Sequence, residues 1–190
     1  MNRCLSSLVR LLPRPEDPPP AVDWATAEDT LGTPLPSDYK ELIDVYGGGH
    51  VDDYLLLLEP GCTNVNYDLL AKDSQRREAY EELWKYEEKP REMEEEGNRL
   101  IPWATTDNGE YLFWLVRPGQ SPDAWITLIN GEGGPDWERY DMTCTRFLAS
   151  VLSGEIRSEV LWDLFPLAVH RFRPARSFLC PSPHGRFGDQ

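Results

Sequence analysis

The sequence predicts an α+β fold, a mainly antiparallel sheet packed against several helices. Three observations predict it. Apolar residues recur at helical spacing over 24–46 and again over 147–152. The strand candidates are grouped between residues 100 and 140 instead of alternating with helices. Asp107-Asn108-Gly109 is a strong turn signal, because Asn and Gly tolerate positive φ, and it introduces the longer strands.

The first helical face is Trp24, Ala27 and Leu31, with Asp23 placed to cap its start and Gly32 to stop it. Ser37 is placed to cap a second helix whose face is Tyr39, Leu42, Ile43 and Tyr46. Gly47-Gly48-Gly49 ends that helix cheaply, since glycine has no Cβ to clash. Residues 51–59, with four consecutive leucines, read as one strand with Asp52 and Asp53 at its entrance. Asp73 or Ser74 can start the next helix, whose stripe is Tyr80, Leu83 and Trp84, and Pro90 breaks or kinks this segment.

From Glu78 to Glu96, nine acids face three bases, a local net of −6, which reads as a solvated helix face followed by a loop. Strands are then expected over 100–104, 111–116, 124–129 and 137–140, with a turn at 130–135. Thr143 or Thr145 can cap a last helix bearing Phe147, Leu148, Val151 and Leu152, stopped by Gly154. Leu161, Trp162, Leu164 and Phe165 are expected to pack back on it.

This pattern divides the chain into three segments. Residues 1–21 read as a Pro-rich N-terminal tail, since Pro13 to Pro20 removes amide donors and fixes φ. Residues 22–165 form the folded domain, and 166–190, with Pro166, Pro174, Pro181 and Pro183 among arginines, an irregular C-terminal arm.

The formal net charge is −14, from 33 acidic and 19 basic residues. Such a chain is repelled by nucleic-acid phosphates and anionic membranes, so neither is an expected direct partner. The excess serves solubility or attracts a basic partner; charge alone leaves both open. Cys4, Cys62, Cys144 and Cys180 are far apart, and only three histidines accompany them, so neither a zinc site nor a disulfide framework is expected. The apolar run from Leu8 to Leu12 is interrupted by Arg10 and followed by Pro13, too short for a signal peptide or a span. A cytoplasmic location is expected.

Catalytic motifs are absent. There is no Gly-Lys-Ser/Thr phosphate loop, and no Gly-x-Ser-x-Gly elbow. His50 with Asp52 and Asp53 could hold a metal or act as a base and its orienter, or could be a polar strand entrance. No cofactor is expected. On the strand 111–116, alternation sends Tyr111 and Phe113 to one face and Leu112 and Trp114 to the other. Both faces can be core, or one can be a contact surface, because Trp and Tyr dominate interface hot spots.

Several segments together resemble the SMI1/KNR4, or SUKH, superfamily. They are Asp23-Trp24 with Glu28 and Leu31-Gly32, then Leu35-Pro36-Ser37-Asp38-Tyr39 and Tyr46-Gly47-Gly48-Gly49. Leu100-Ile101-Pro102-Trp103, the run from Thr106 to Trp114, and the Phe147-Leu148 helix ending at Gly154 come next in order. The resemblance spans roughly residues 22–165. It implies an α+β fold without a catalytic centre, and a protein that binds protein: an immunity protein neutralising a cognate toxin, often a nuclease, or a regulatory scaffold with an endogenous partner. Candidate partner contacts are Asp52, Asp53 and Tyr54 at the strand entrance, Asp107 and Glu110 at the turn, and Trp114 on the sheet.

Overall fold

The computed structural model describes residues 3–86, 89–131 and 137–178. Seven strands form one antiparallel sheet: β1 (Gly49–Val51), β2 (Leu55–Leu57), β3 (Arg99–Thr106), β4 (Tyr111–Val116), β5 (Ile126–Asn130), β6 (Trp137–Tyr140) and β7 (Phe172–Pro174). Their order is β6-β5-β4-β3-β2-β1-β7. The helices are α1 (Arg3–Leu11), α2 (Trp24–Leu31), α3 (Ser37–Tyr46), α4 (Leu69–Leu83) and α5 (Cys144–Leu152). The expected α+β architecture is therefore what the chain adopts.

Local chemistry explains most boundaries. Asp23 caps α2 by accepting from Thr26 N at 3.1 Å, and Gly32 closes it at φ +69°. Ser37 does not cap α3 with its side chain. It is the first helical residue, and its amide donates to Asp123 Oδ1 at 2.7 Å, from the loop before β5. α4 starts earlier than Asp73, because the Asp68 carboxylate accepts from Leu70 N at 3.1 Å and frees Leu69 to enter the core. The expected strand over 51–59 is a hairpin. Asp52 and Asp53 adopt φ +53° and +52°, a left-handed pair that Asp tolerates better than most residues, and Tyr54 N returns to Val51 O at 3.1 Å.

Alternation in β4 is satisfied on both sides. Leu112 and Trp114 join a large core with Tyr39, Leu42, Tyr46, Phe147 and Leu148, under α3 and α5. Phe113 and Leu115 join Tyr80 of α4 with Leu100 and Leu128 in a smaller core on the other face. Both sides of this strand are thus packing surfaces.

The two terminal segments correct the expectation of tails. Leu5, Leu8 and Leu12 fall at i, i+3 and i+7 and are 1%, 0% and 1% exposed, so α1 is part of the large core. The Tyr46 hydroxyl donates to Leu12 O at 2.8 Å and ties the end of that segment down. The prolines after it mask this short amphipathic face in the sequence. At the other end, Phe172–Pro174 of the expected arm join the sheet as β7, paired with β1. Residues 179–190 of the expected arm, and most of the expected turn at 130–135, lie outside the described residues.

Candidate functional site

The register of the sheet places one side chain from each of six strands, β7 and β1 to β5, in a row. His50 stands opposite Arg173 and Leu56, Leu56 opposite Thr105, Thr105 opposite Tyr111, and Tyr111 opposite Asn130. Directly opposed residues share a face, and this is the face that α4 covers over β3, β4 and β5. Toward β1 and β2 the cover by described residues stops, and a groove of about 440 Å³ opens among them. Asn64, Asn66 and Tyr67 form one wall, Asp107 and Gly109 the rim at the β3–β4 turn, and Phe178 the far side.

His50 is the centre of this groove. Its Nε2 lies 3.2 Å from Asp107 Oδ1 and its Nδ1 3.1 Å from the Tyr67 hydroxyl. A carboxylate only accepts, so Nε2–H donates to Asp107, and Nδ1 accepts from Tyr67. The neutral ring satisfies both bonds. Burial pulls the His50 pKa below the usual histidine value, Asp107 pushes it back up through charge and hydrogen bond, and Arg173 lowers it further. Burial also raises the Tyr67 phenol to about 12, so it stays a donor. Phe178 meets His50 edge-on at 5.0 Å and stacks on Tyr67 at 5.7 Å. Arg173 in turn lies 4.7 Å from the Phe178 ring. The arrangement offers flat rings, amides, an acidic rim at Asp107 and the cations Lys72 and Arg173, which suits stacking and hydrogen bonding.

The structure divides the six residues expected at a partner surface. Asp107 is on the groove rim with its side chain 53% exposed. Asp53 is half-buried and pairs with Arg171 and with Arg173 Nε at 2.7 Å, so it holds β7 against the hairpin. The other four are internal, which corrects the expectation that they meet a partner. The Asp52 carboxylate accepts from Leu167 N at 3.0 Å and Arg171 N at 2.9 Å, and pairs with His170 Nδ1 at 2.7 Å. Tyr54 donates to Glu110 Oε2 at 3.0 Å and accepts from Trp162 N at the same distance. Glu110 also takes the Thr106 hydroxyl, a buried polar knot whose members satisfy each other. Trp114 is 0% exposed and packs edge-on to Tyr39 at 4.7 Å.

His50 therefore does not act with Asp52 or Asp53. Asp52 belongs instead to His170, whose Nε2 lies 2.9 Å from Leu152 O. Both ring nitrogens of His170 face oxygens that only accept. Sequence reasoning missed His170, Tyr67 and Phe178 as neighbours of the predicted residues, because they lie far off in the chain with no local motif. Among the described residues, no group of three or more His, Cys, Asp or Glu side chains is placed to hold a metal, and no helix is long and apolar enough to cross a membrane.

Comparison with curated proteins and with solved structures gives no match. A family model does match: the one described as SMI1-KNR4 cell-wall, of the SUKH group, over residues 22–148. That stretch runs from the cap of α2 through both cores to the middle of α5, well over half of the chain, and so this protein belongs to the SMI1-KNR4 cell-wall family.

Proposed function

We propose that this is a non-enzymatic immunity-type protein that neutralises a cognate toxin by docking it on the groove around His50. The observation that carries the reading is the sheet face that the described residues leave uncovered beside α4, with Tyr67, Tyr111 and Phe178 along it and Asp107 at its rim. An SMI1-KNR4 chain with a formal charge of −14 would find a basic cleft by electrostatic steering, and the aromatic rings would supply the contact area once it arrives. Nuclease toxins, which bind phosphate, present such clefts.

The test is co-expression with the toxin-like product of a neighbouring gene, together with binding measured at low and high salt. Rescue of growth and salt-sensitive binding are expected, and Asp107→Arg should weaken binding about tenfold, or about 1.4 kcal/mol. No rescue and no binding at low salt would remove the toxin reading. Stoichiometric capture of a host protein in its place would make the chain a regulatory scaffold.

A further inference from the structure

Farther along α4, on the same face of the sheet, a second groove of about 430 Å³ lies between that helix and residues 89–100. Its floor is apolar, made by Tyr80, Trp84, Met93 and Leu100. Its walls carry Arg76, Arg77, Lys85, Lys89 and Arg99, and among the described residues that line it Glu81 is the single acid. A chain with 33 acids and 19 bases has no statistical reason to collect five cations around one groove.

Two of the five have carboxylate partners. Arg77 Nε lies 3.2 Å from Asp73 Oδ2, and Lys85 Nζ 2.6 Å from Glu82 Oε1. Among the described residues, Arg76, Lys89 and Arg99 form no ion pair. Arg76 lies over the rings of Tyr80 and Tyr111 at 5.0 and 4.1 Å, and Lys89 over Trp84 at 5.3 Å. Arg99 donates from Nη1 to Leu31 O at 3.0 Å, while its Nε and Nη2 are buried without a hydrogen-bond partner. Burial pulls the Arg99 pKa down, and the buried Asp73 carboxylate nearby opposes that pull. Among the described residues that line the groove, positive charge is in excess, and part of the Arg99 hydrogen-bonding capacity is unspent.

We propose that this groove binds a small organic anion with an apolar body, its body on Trp84 and Met93 and its acidic group among the cations. Size argues for a small molecule, because pockets of about 300 to about 1,000 Å³ are those that hold one. Charge argues against a larger anion. An acidic peptide or a nucleic acid would have to run along the stretch from Glu78 to Glu96, where nine acids face three bases, whereas a single acidic group fits between them. The site is separate from the groove around His50, so it stands whether or not a toxin docks there.

Fluorescence titration of the full chain with anilinonaphthalene sulfonate, an aromatic anion, tests this, alongside its uncharged analogue phenylnaphthylamine. Saturable one-to-one binding of the sulfonate is expected, with the uncharged probe weaker by about tenfold. Lys89→Glu, an exposed substitution, should weaken the sulfonate by about tenfold and leave the uncharged probe unchanged. Arg157→Glu, on the far loop, should change neither, and circular dichroism should show all variants folded. Displacement by a fatty carboxylate and not by the matching alcohol completes the expected pattern. Three results would overturn the proposal: equal binding of the two probes, an unchanged affinity in Lys89→Glu, or displacement by an acidic peptide in preference to the carboxylate.

Discussion

One sheet, two faces: the side under α1, α3 and α5 is sealed, and the side under α4 is sealed only over β3 to β5. On the sealed side Leu112, Trp114, Tyr39 and Phe147 are fully buried. On the other, Phe113 is equally buried, yet His50, Leu56 and Tyr111 border an open groove. The difference teaches where constraint and opportunity lie in this fold. Every side chain on the sealed face is answerable to packing, while the half-covered face has room for groups whose neighbours come from outside the chain. Candidate contacts chosen for their chemistry alone, such as Trp114, fall to the first side when the topology sends them there.

The largest effect should come from exchanging one residue on each face of β4. Trp114→Ala opens a cavity among rings that cannot collapse into it and should cost about 3–5 kcal/mol. Tyr111→Ala removes contacts with Phe113 and Arg76 at a groove wall and should cost about 1 kcal/mol. Urea unfolding with unchanged slope measures both. Similar losses would mean that the half-covered face is as closed as the other.

A smaller effect should come from the N-terminal segment. Leu8→Ala should cost about 2–4 kcal/mol, because Leu8 is 0% exposed between α1 and the large core. Leu164→Ala, at a position 62% exposed, should stay within about 0.5 kcal/mol. If Leu8→Ala were as mild, residues 3–12 would be a detachable tail and the sealed face would be finished by α3 and α5 alone.

The parts of this fold that could be read in advance are those with local signals. Asp23 and Gly32 bracket α2 because cap chemistry is decided within four residues. The β3–β4 hairpin follows from Asp107-Asn108-Gly109, and the two faces of β4 from its alternation. The missed parts depend on partners far off in the chain. The short face of α1 is visible as a spacing, but only contact with α5 and Tyr46 makes it stable next to a proline run. The Asp52–Asp53 turn lacks glycine, and its conformation is held by Arg171, Arg173 and His170, more than 110 residues away. The groove suffers in the same way. Of the six expected contact residues, only Asp107 reaches its rim, since alternation told which side chains share a face without telling which face the helices would leave bare.

The smallest expected effect concerns pH and the His50–Asp107 pair. His50 is held toward its neutral form: burial lowers its pKa below the unfolded value of about 6.5, and Asp107 only partly offsets this. Between those two values the unfolded chain binds a proton that the folded chain does not, so acid favours unfolding. This contribution to stability is fully present above the unfolded pKa, and is lost as pH falls through the folded one. Thermal midpoints between about pH 7.5 and about pH 5 should therefore fall less steeply in His50→Gln than in the parent. Asp107→Asn should make the fall steeper, because it removes the charge that stabilises the imidazolium. The opposite ordering would mean that Asp107 outweighs burial and that the groove holds His50 charged. It would then present a cation to any partner that docks there.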